Sequence, residues 1–183
     1  HLTLTHAAGW APYAAFNTPS WSISAEAIAY TVFAVIAALA LKPGWRCVAL
    51  VGAAAAGLVW LMAMQPDGAL FVTTLGGAQR AVYGFCVGAA LQLLLMPARA
   101  FLSARPAWGH GLQLAGLGLV GLMVAVGAYG SPLTYLAPFA FAPAILAFAA
   151  APKAAPSQAF SAPWLVWLGT VSYSFYMVHF LVA

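Results

Sequence analysis

Three ionisable residues lie inside long apolar stretches of this chain: Glu26, Arg80 and His179. A carboxylate or an imidazole can move protons, and a guanidinium can bind an anion or stabilise a developing negative charge. An ionisable side chain costs about 2.5 to 3.5 kcal/mol at the centre of a membrane helix, so each needs a reason to be there. We therefore treat these three residues as candidate catalytic groups.

Polar and small residues continue the faces on which the three ionisable groups lie. Positions i and i+4 share one face of a helix, and so do i and i+3. Three stripes result. The first is Ser22, Glu26 and Tyr30, with Trp21 beside it. The second is Arg80, Gly84 and Gly88, and the third is Ser172, Tyr176 and His179, with Tyr173 beside it. The glycines could form either a helix-packing face or a groove for an acyl or pantetheine chain.

Each candidate also has a purely structural interpretation. Glu26 could be a carboxylate that interacts favourably with the positive N-terminal end of the dipole of a helix capped by Thr18 or Ser20. Arg80 could extend its cation to the membrane interface above a GxxxG packing face, and a lone His in an apolar helix is more often hydrogen-bonded core than catalyst. We predict no metal site, because the remaining histidines lack ligand spacing, and we assign the two cysteines to packing.

The composition defines the elements that must position these residues. Only eight of 183 residues are charged and 65% are hydrophobic, whereas a soluble domain carries roughly a quarter charged residues. This excludes a soluble globule, a disordered chain and a nucleic-acid-binding protein. Polar breaks separate six apolar runs of spanning length, at about 22–41, 47–64, 78–96, 111–128, 133–150 and 164–183. The sequence predicts an all-α, polytopic membrane helix bundle with about six transmembrane helices.

The breaks between the runs carry further predictions. We expect Pro43 and Gly44 to end the first helix and Pro97 to end the third. A polar stretch with Arg99, Arg105 and His110 should follow the third helix, and residues 151–163 should form a loop.

The distribution of cations predicts the orientation. Alternate breaks hold five of the six cations, Lys42, Arg46, Arg99, Arg105 and Lys153, and the intervening breaks hold none. Cytoplasmic loops are enriched in Lys and Arg, so these breaks should face the cytoplasm. Residues 1–21 then lie on the outer side, and the three ionisable groups fall in the outer half of the membrane. We expect them to share one polar cavity.

Three segments, taken in order, identify a resemblance. The segment Asn17-Thr18-Pro19-Ser20-Trp21-Ser22-Ile23-Ser24-Ala25-Glu26, followed by Tyr30, resembles a motif of the acyltransferase 3 family of bacterial integral-membrane O-acyltransferases. Arg80, followed by Phe85 and Gly88, resembles a second motif, and Leu168-Gly169-Thr170-Val171-Ser172-Tyr173-Ser174-Phe175-Tyr176-Met177-Val178-His179 resembles a late one. The match spans about 160 residues, with the first and last motifs the more specific.

The resemblance implies a ten-helix domain of the bacterial inner membrane that moves an acyl group, commonly acetyl, from acyl-CoA to a hydroxyl of a glycan or another envelope molecule. Its partners are acyl-CoA, a carbohydrate or lipid-linked glycan acceptor and membrane lipids, with no nucleic acid and no bound cofactor. The family's early Arg/Lys-x10-His motif, whose His is thought to be catalytic, has no counterpart in residues 1–183. We therefore expect these residues to form a partial domain, inactive alone, without the family's first helices and its last.

In the scheme that the resemblance implies, Glu26 orients the base or acceptor, and Arg80 faces the oxyanion or the anionic part of the donor. His179 lies on the acceptor side. Substrate contacts are expected from Trp21, Ser22, Tyr30, Gly84, Gly88, Ser172, Tyr173 and Tyr176. Two alternatives stay open, a secondary transporter with an intramembrane Glu/Arg/His pathway and a non-catalytic scaffold held together by polar stripes. Broken helices, at which only the region from Pro138 to Pro143 hints, would favour the transporter.

Overall fold

A computed structural model of the chain describes residues 21–39, 42–64, 76–128 and 131–182. The elements are α1 (Trp21–Ala38), α2 (Pro43–Met64), α3 (Gly77–Ser103), α4 (Pro106–Ala128), a 3-10 helix (Pro132–Leu136), α5 (Ala137–Ala150), α6 (Ala155–Phe160) and α7 (Pro163–Val182). No strand occurs among these residues. The predicted all-α class is confirmed.

The helices have the length and surface of membrane spans. Among the described residues, α1 to α4 and the segment Leu133–Ala150 are each long and apolar enough to cross a bilayer. The sixth apolar run is helical as well and forms α7. Large apolar side chains point outward, such as Val124 at 64% and Phe175 at 65% exposure. Such a surface suits lipid rather than water.

Contacts between neighbouring helices show that the bundle runs up and down. Trp21 and Arg80, near the starts of α1 and α3, are in contact, so these helices are parallel. Arg99 near the end of α3 contacts Ala149 near the end of α5, so α5 runs the same way. The five cations of the alternate breaks therefore lie at one end, the cation-rich end, and Arg80 lies at the other, the Arg80 end.

The prediction that Pro97 ends the third helix is wrong. Pro97 lies inside α3, which continues to Ser103. An interior proline removes one backbone hydrogen bond and favours a kink, but the apolar sequence on both sides still favours a helix. Because α4 already begins at Pro106, Arg99 and His110 are helical and only residues 104–105 form the turn.

Prolines begin helices at two breaks where the sequence predicted an end or a loop. Pro43 opens α2, and α1 has already ended at Ala38. Pro163 opens α7, and α6 occupies part of the predicted loop 151–163. A proline at the first helical position loses no hydrogen bond, because that N–H has no partner inside the helix.

Small residues allow close packing between the helices. A Cβ added at Gly116 of α4 would lie 2.8 Å from Cα and Cβ of Ala144 in α5, and one added at Gly57 of α2 would lie 3.0 Å from Cβ of Tyr83 in α3. Tyr83 is fully buried and donates a 2.7 Å hydrogen bond to the Tyr135 carbonyl oxygen in the 3-10 helix. This bond satisfies a phenol in the core and ties α3 to the start of the fifth span.

Candidate active site

The turn before α3 fixes the start of the helix that carries Arg80. Gly76 has φ 93°, in the left-handed region, and its carbonyl oxygen accepts a 2.9 Å hydrogen bond from the Arg80 N–H. Only glycine adopts this backbone conformation without strain. Arg80 is the fourth residue of α3 and lies at the helix end opposite the other five cations, as the sequence predicted.

Trp21 holds the Arg80 side chain. The guanidinium carbon Cζ of Arg80 lies 4.8 Å from the centroid of the Trp21 ring, within the range of a cation–π contact. Near this contact, Ala25 in α1 packs against Ala78 in α3. A cation–π contact pairs the positive charge with the electron-rich face of the ring. It therefore restricts where the guanidinium lies.

Tyr176 of α7 is the third member of this group. Its phenol lies close enough to Arg80 for an electrostatic interaction. α7 is otherwise exposed along most of its described length. Trp21 of α1 thus contacts Arg80 of α3, and Tyr176 of α7 interacts with the same cation electrostatically; we call Trp21, Arg80 and Tyr176 the Arg80 cluster.

The stripe on α1 continues from this cluster toward the membrane interior. Ser22 is half-buried, whereas Glu26 and Tyr30 are exposed. Tyr30 packs edge-on against Phe85 of α3, with ring centroids 5.5 Å apart. Glu26 thus lies one turn from Ser22 and one turn from a residue that contacts α3. The cap residues suggested for this helix, Thr18 and Ser20, lie outside the described residues.

The two glycines on the Arg80 face do not form a tight packing surface. A Cβ added at Gly84 would meet Pro138 only at 3.9 Å, an ordinary van der Waals distance. Gly88 is exposed, and a Cβ there would have no atom within 4 Å among the described residues. The close approaches of this bundle occur instead at Gly57 and Gly116. Open space along the Arg80 face is compatible with a groove.

Some polar side chains of the α7 stripe interact within α7 itself. The Ser172 hydroxyl donates a 2.8 Å hydrogen bond to the Gly169 carbonyl oxygen, which satisfies its proton. The rings of Tyr173 and Tyr176 lie 6.4 Å apart. His179 belongs to the same helix, but its side chain lies outside the described part. Its convergence with Glu26 and Arg80, and the catalytic roles of all three, stay predictions.

Sequence reasoning missed a buried polar cluster at the cation-rich end. Gln113 of α4 has 0% exposure. Its Nε2 donates to the carbonyl oxygens of Ala147 (3.2 Å) and Ala151 (2.9 Å) and to Ser157 Oγ (2.8 Å), and its Oε1 accepts from the Ser157 N–H at 3.2 Å. These four residues, the Gln113 cluster, join α4, α5 and α6. A single Gln in an apolar run was the signal that could have found it.

A second glutamine differs from Gln113. Gln79 precedes Arg80 in α3, and its Oε1 is buried without a hydrogen-bond partner in the described part of the chain. Buried polar atoms nearly always have a partner, so an acceptor of this kind beside a candidate active site is notable.

Two cavities lie toward the cation-rich end rather than beside Arg80. One, of about 570 Å³, is an apolar crevice between α3, α4 and α5, with Phe101, Leu119 and Pro143 in its walls. The other, of about 800 Å³, is lined by Arg99, His110 and Lys153. Neither lining contains a residue that the sequence analysis placed in the site.

Comparison with known families completes this description. The family model described as an acyltransferase domain, acyltransferase 3, matches residues 1–183. The chain belongs to the acyltransferase 3 family. No curated protein and no solved structure matches it. An acyltransferase 3 membrane domain and five apolar spanning helices together make this a multi-pass membrane acyltransferase. In the described part of this acyltransferase 3 chain, no group of three His, Cys, Asp or Glu side chains could hold a metal ion.

Proposed function

We propose that the protein transfers an acyl group, in particular acetyl, from acyl-CoA to a hydroxyl of a glycan or another cell-envelope molecule at the bacterial inner membrane. The observation that carries the proposal is the Arg80 cluster in a chain of the acyltransferase 3 family. In this cluster a cation and an aromatic ring from two helices are in contact, and a phenol of a third helix is near enough to interact electrostatically.

The proposed chemistry is general-base acyl transfer. A base takes the proton of the acceptor hydroxyl while its oxygen attacks the thioester carbonyl carbon. The C–O bond forms and the carbonyl oxygen becomes negative. The C–S bond then breaks, and the base returns the proton to the leaving thiolate, which departs as the CoA thiol. The resemblance assigns the base to a His of the family's early motif, which residues 1–183 do not contain.

Arg80 is suited to stabilise the negative oxygen of this reaction. Its guanidinium is positively charged and carries N–H donors, and the Trp21 ring lies against it at the Arg80 end. Removing one such donor from an oxyanion site typically costs about 100- to 1,000-fold in rate. In the proposed scheme Tyr176, which interacts electrostatically with Arg80, donates to the same oxygen or to the acceptor. Glu26 orients the base or acceptor.

The Arg80 face offers a path for the donor. Acyl-CoA is made in the cytoplasm, and the cation count places Arg80 toward the outside. The thioester must therefore pass along the bundle, and the open face at Gly84 and Gly88 is the proposed route. The transporter alternative loses support, because α3 and α5 are each assigned as one helix through Pro97 and Pro143.

An acyl-transfer assay on the full-length protein tests the proposal. Membranes containing it should move radiolabelled acetyl from acetyl-CoA to envelope material, and both Glu26→Gln and His179→Ala should reduce this transfer at least tenfold at equal folded protein. Lys42→Gln, a change of charge at the opposite end, is the control. Full transfer by both site variants would reject the site, and proton-coupled uptake without transfer would support a transporter.

A further inference from the structure

A cavity with basic side chains in its lining, at the cation-rich end, has no role in the chemistry proposed above. It measures about 800 Å³ and lies where α3 and α5 end and α4 begins. Arg99 comes from α3, His110 from α4 and Lys153 from the turn after α5. Glu26, the only Asp or Glu of the described residues, lies in α1 toward the other end. The cavity, which we call the Arg99 cavity, is therefore cationic.

The fold positions two of these side chains by hydrogen bonds. Nε and Nη2 of Arg99 each donate to the Ala149 carbonyl oxygen at 3.3 Å. A guanidinium has five N–H donors, so these contacts orient it and leave further donors for a ligand. Nδ1 of His110 lies 3.0 Å from the Pro106 carbonyl oxygen. A carbonyl only accepts, so Nδ1 carries the proton and Nε2 is the nitrogen that a ligand can use.

Lys153 supplies the second cation. It is exposed in the turn between α5 and α6 and adds an ammonium to the rim. A planar guanidinium fork combined with an ammonium is a donor set suited to phosphate oxygens. The remaining walls include Ala100, Leu102 and Pro152, which offer no competing carboxylate.

We propose that the Arg99 cavity binds a phosphate ester on the cytoplasmic side of the membrane. Two sources share this chemistry. One is the nucleotide phosphate of a CoA thioester, and this arm rests on the proposed function. The other is the phosphate of an anionic lipid headgroup, which is independent of it.

Direct binding to the full-length protein in detergent micelles tests the proposal. The two probes are adenosine 3′,5′-bisphosphate and a short-chain phosphatidylglycerol, measured by calorimetry. Lys153→Gln and Arg99→Gln should each weaken binding of at least one probe about tenfold, because each removes charge-assisted hydrogen bonds. Arg105→Gln is the matched control, since Arg105 lies at the same end, 4.5 Å above the Phe101 ring, and does not line the cavity. Its affinity should stay within about twofold of the parent.

The outcomes separate the two ligand sources and the two proposals. Weakened nucleotide binding identifies the donor, and weakened lipid binding alone identifies a headgroup site; both support a phosphate site. Equal affinities of Lys153→Gln and Arg105→Gln for both probes would overturn it, even if Arg99→Gln fails to fold. Acetyl transfer is measured in parallel. Transfer without binding at the cavity would support the proposed function and overturn the phosphate site. Lipid binding without transfer would support the phosphate site and count against the proposed function.

Discussion

A buried glutamine near the cation-rich end and the arginine near the Arg80 end have different surroundings. At the cation-rich end, both amide atoms of Gln113 are hydrogen-bonded to main-chain or hydroxyl groups of α5 and α6. At the Arg80 end, the guanidinium is held by a ring face and lies near a phenol, and Glu26 is exposed. Gln113 has the surroundings of a group that stabilises the fold, whereas Arg80 is a cation beside an aromatic ring at a position that resembles a family motif.

Short distances between helices occur at both ends. The Gln113 cluster lies beside the close approach of Gly116 to Ala144, so α4 and α5 pack at short distance there. At the other end, Gly57 approaches Tyr83 closely as well, whereas α7 is mostly exposed along its described length. Intramembrane polarity by itself therefore does not identify a catalytic site, and the motif resemblance is what singles out Arg80.

The largest effect is expected at the Arg80 end. Arg80→Gln should lower acyl transfer by the full-length protein roughly 100-fold or more, since it removes the proposed oxyanion donor. The thermal unfolding midpoint should change little. Transfer of labelled acetyl in membranes, normalised to folded protein, measures the effect. Arg105→Gln is the control. An Arg80→Gln variant that transfers acetyl normally would reject the catalytic role of Arg80.

The reverse pattern is expected at Gln113. Gln113→Leu should destabilise the protein by about 2 kcal/mol, because the buried Ser157 N–H loses its acceptor. The Ala147 and Ala151 carbonyls each keep another donor, Ala151 N and Ala154 N, which limits the cost. Thermal unfolding in micelles measures it. Thr170→Val, which removes a hydroxyl bonded within α7, should change stability much less. Lost activity at full stability would contradict the structural role.

A pair of glycine substitutions tests how closely α4 and α5 approach. Gly116→Ala should destabilise the fold by roughly 1 to 3 kcal/mol, because its Cβ would lie 2.8 Å from the Ala144 backbone. Gly118→Ala, on the same helix with open space, should be neutral or slightly stabilising, since Ala favours helix by about 1 kcal/mol. Unfolding midpoints of the two variants give the comparison. Equal stability of the pair would argue against this interface.

The smallest effect is expected from Trp21. Trp21→Phe keeps a ring beneath Arg80, and we expect less than a threefold change in transfer. Trp21→Ala removes a cation–π contact worth about 0.5 to 2 kcal/mol and should lower transfer several-fold through misplacement of the guanidinium. The two rates are compared at saturating and limiting acetyl-CoA. Equal transfer by Trp21→Phe and Trp21→Ala would show that the stacking does not position Arg80.

The sequence predicted the helices better than their ends. Hydropathy located six helices, since spanning length and apolar composition are local properties. It failed at Pro97, because whether a proline ends or bends a helix depends on what packs around it. It also placed Arg99 and His110 in a polar stretch, whereas both are helical and face a shared cavity.

What the sequence determined by itself is the membrane class and the helix content, together with a set of candidate catalytic residues. These follow from composition, from the spacing of polar residues and from motifs that resemble one family. Only the tertiary structure decided which residues meet. Trp21 contacts Arg80 across 59 positions, and Gln113 contacts Ser157 across 44, as the numbering shows. Such pairings depend on how helices pack, and periodicity within one helix carries no information about the helix it will face.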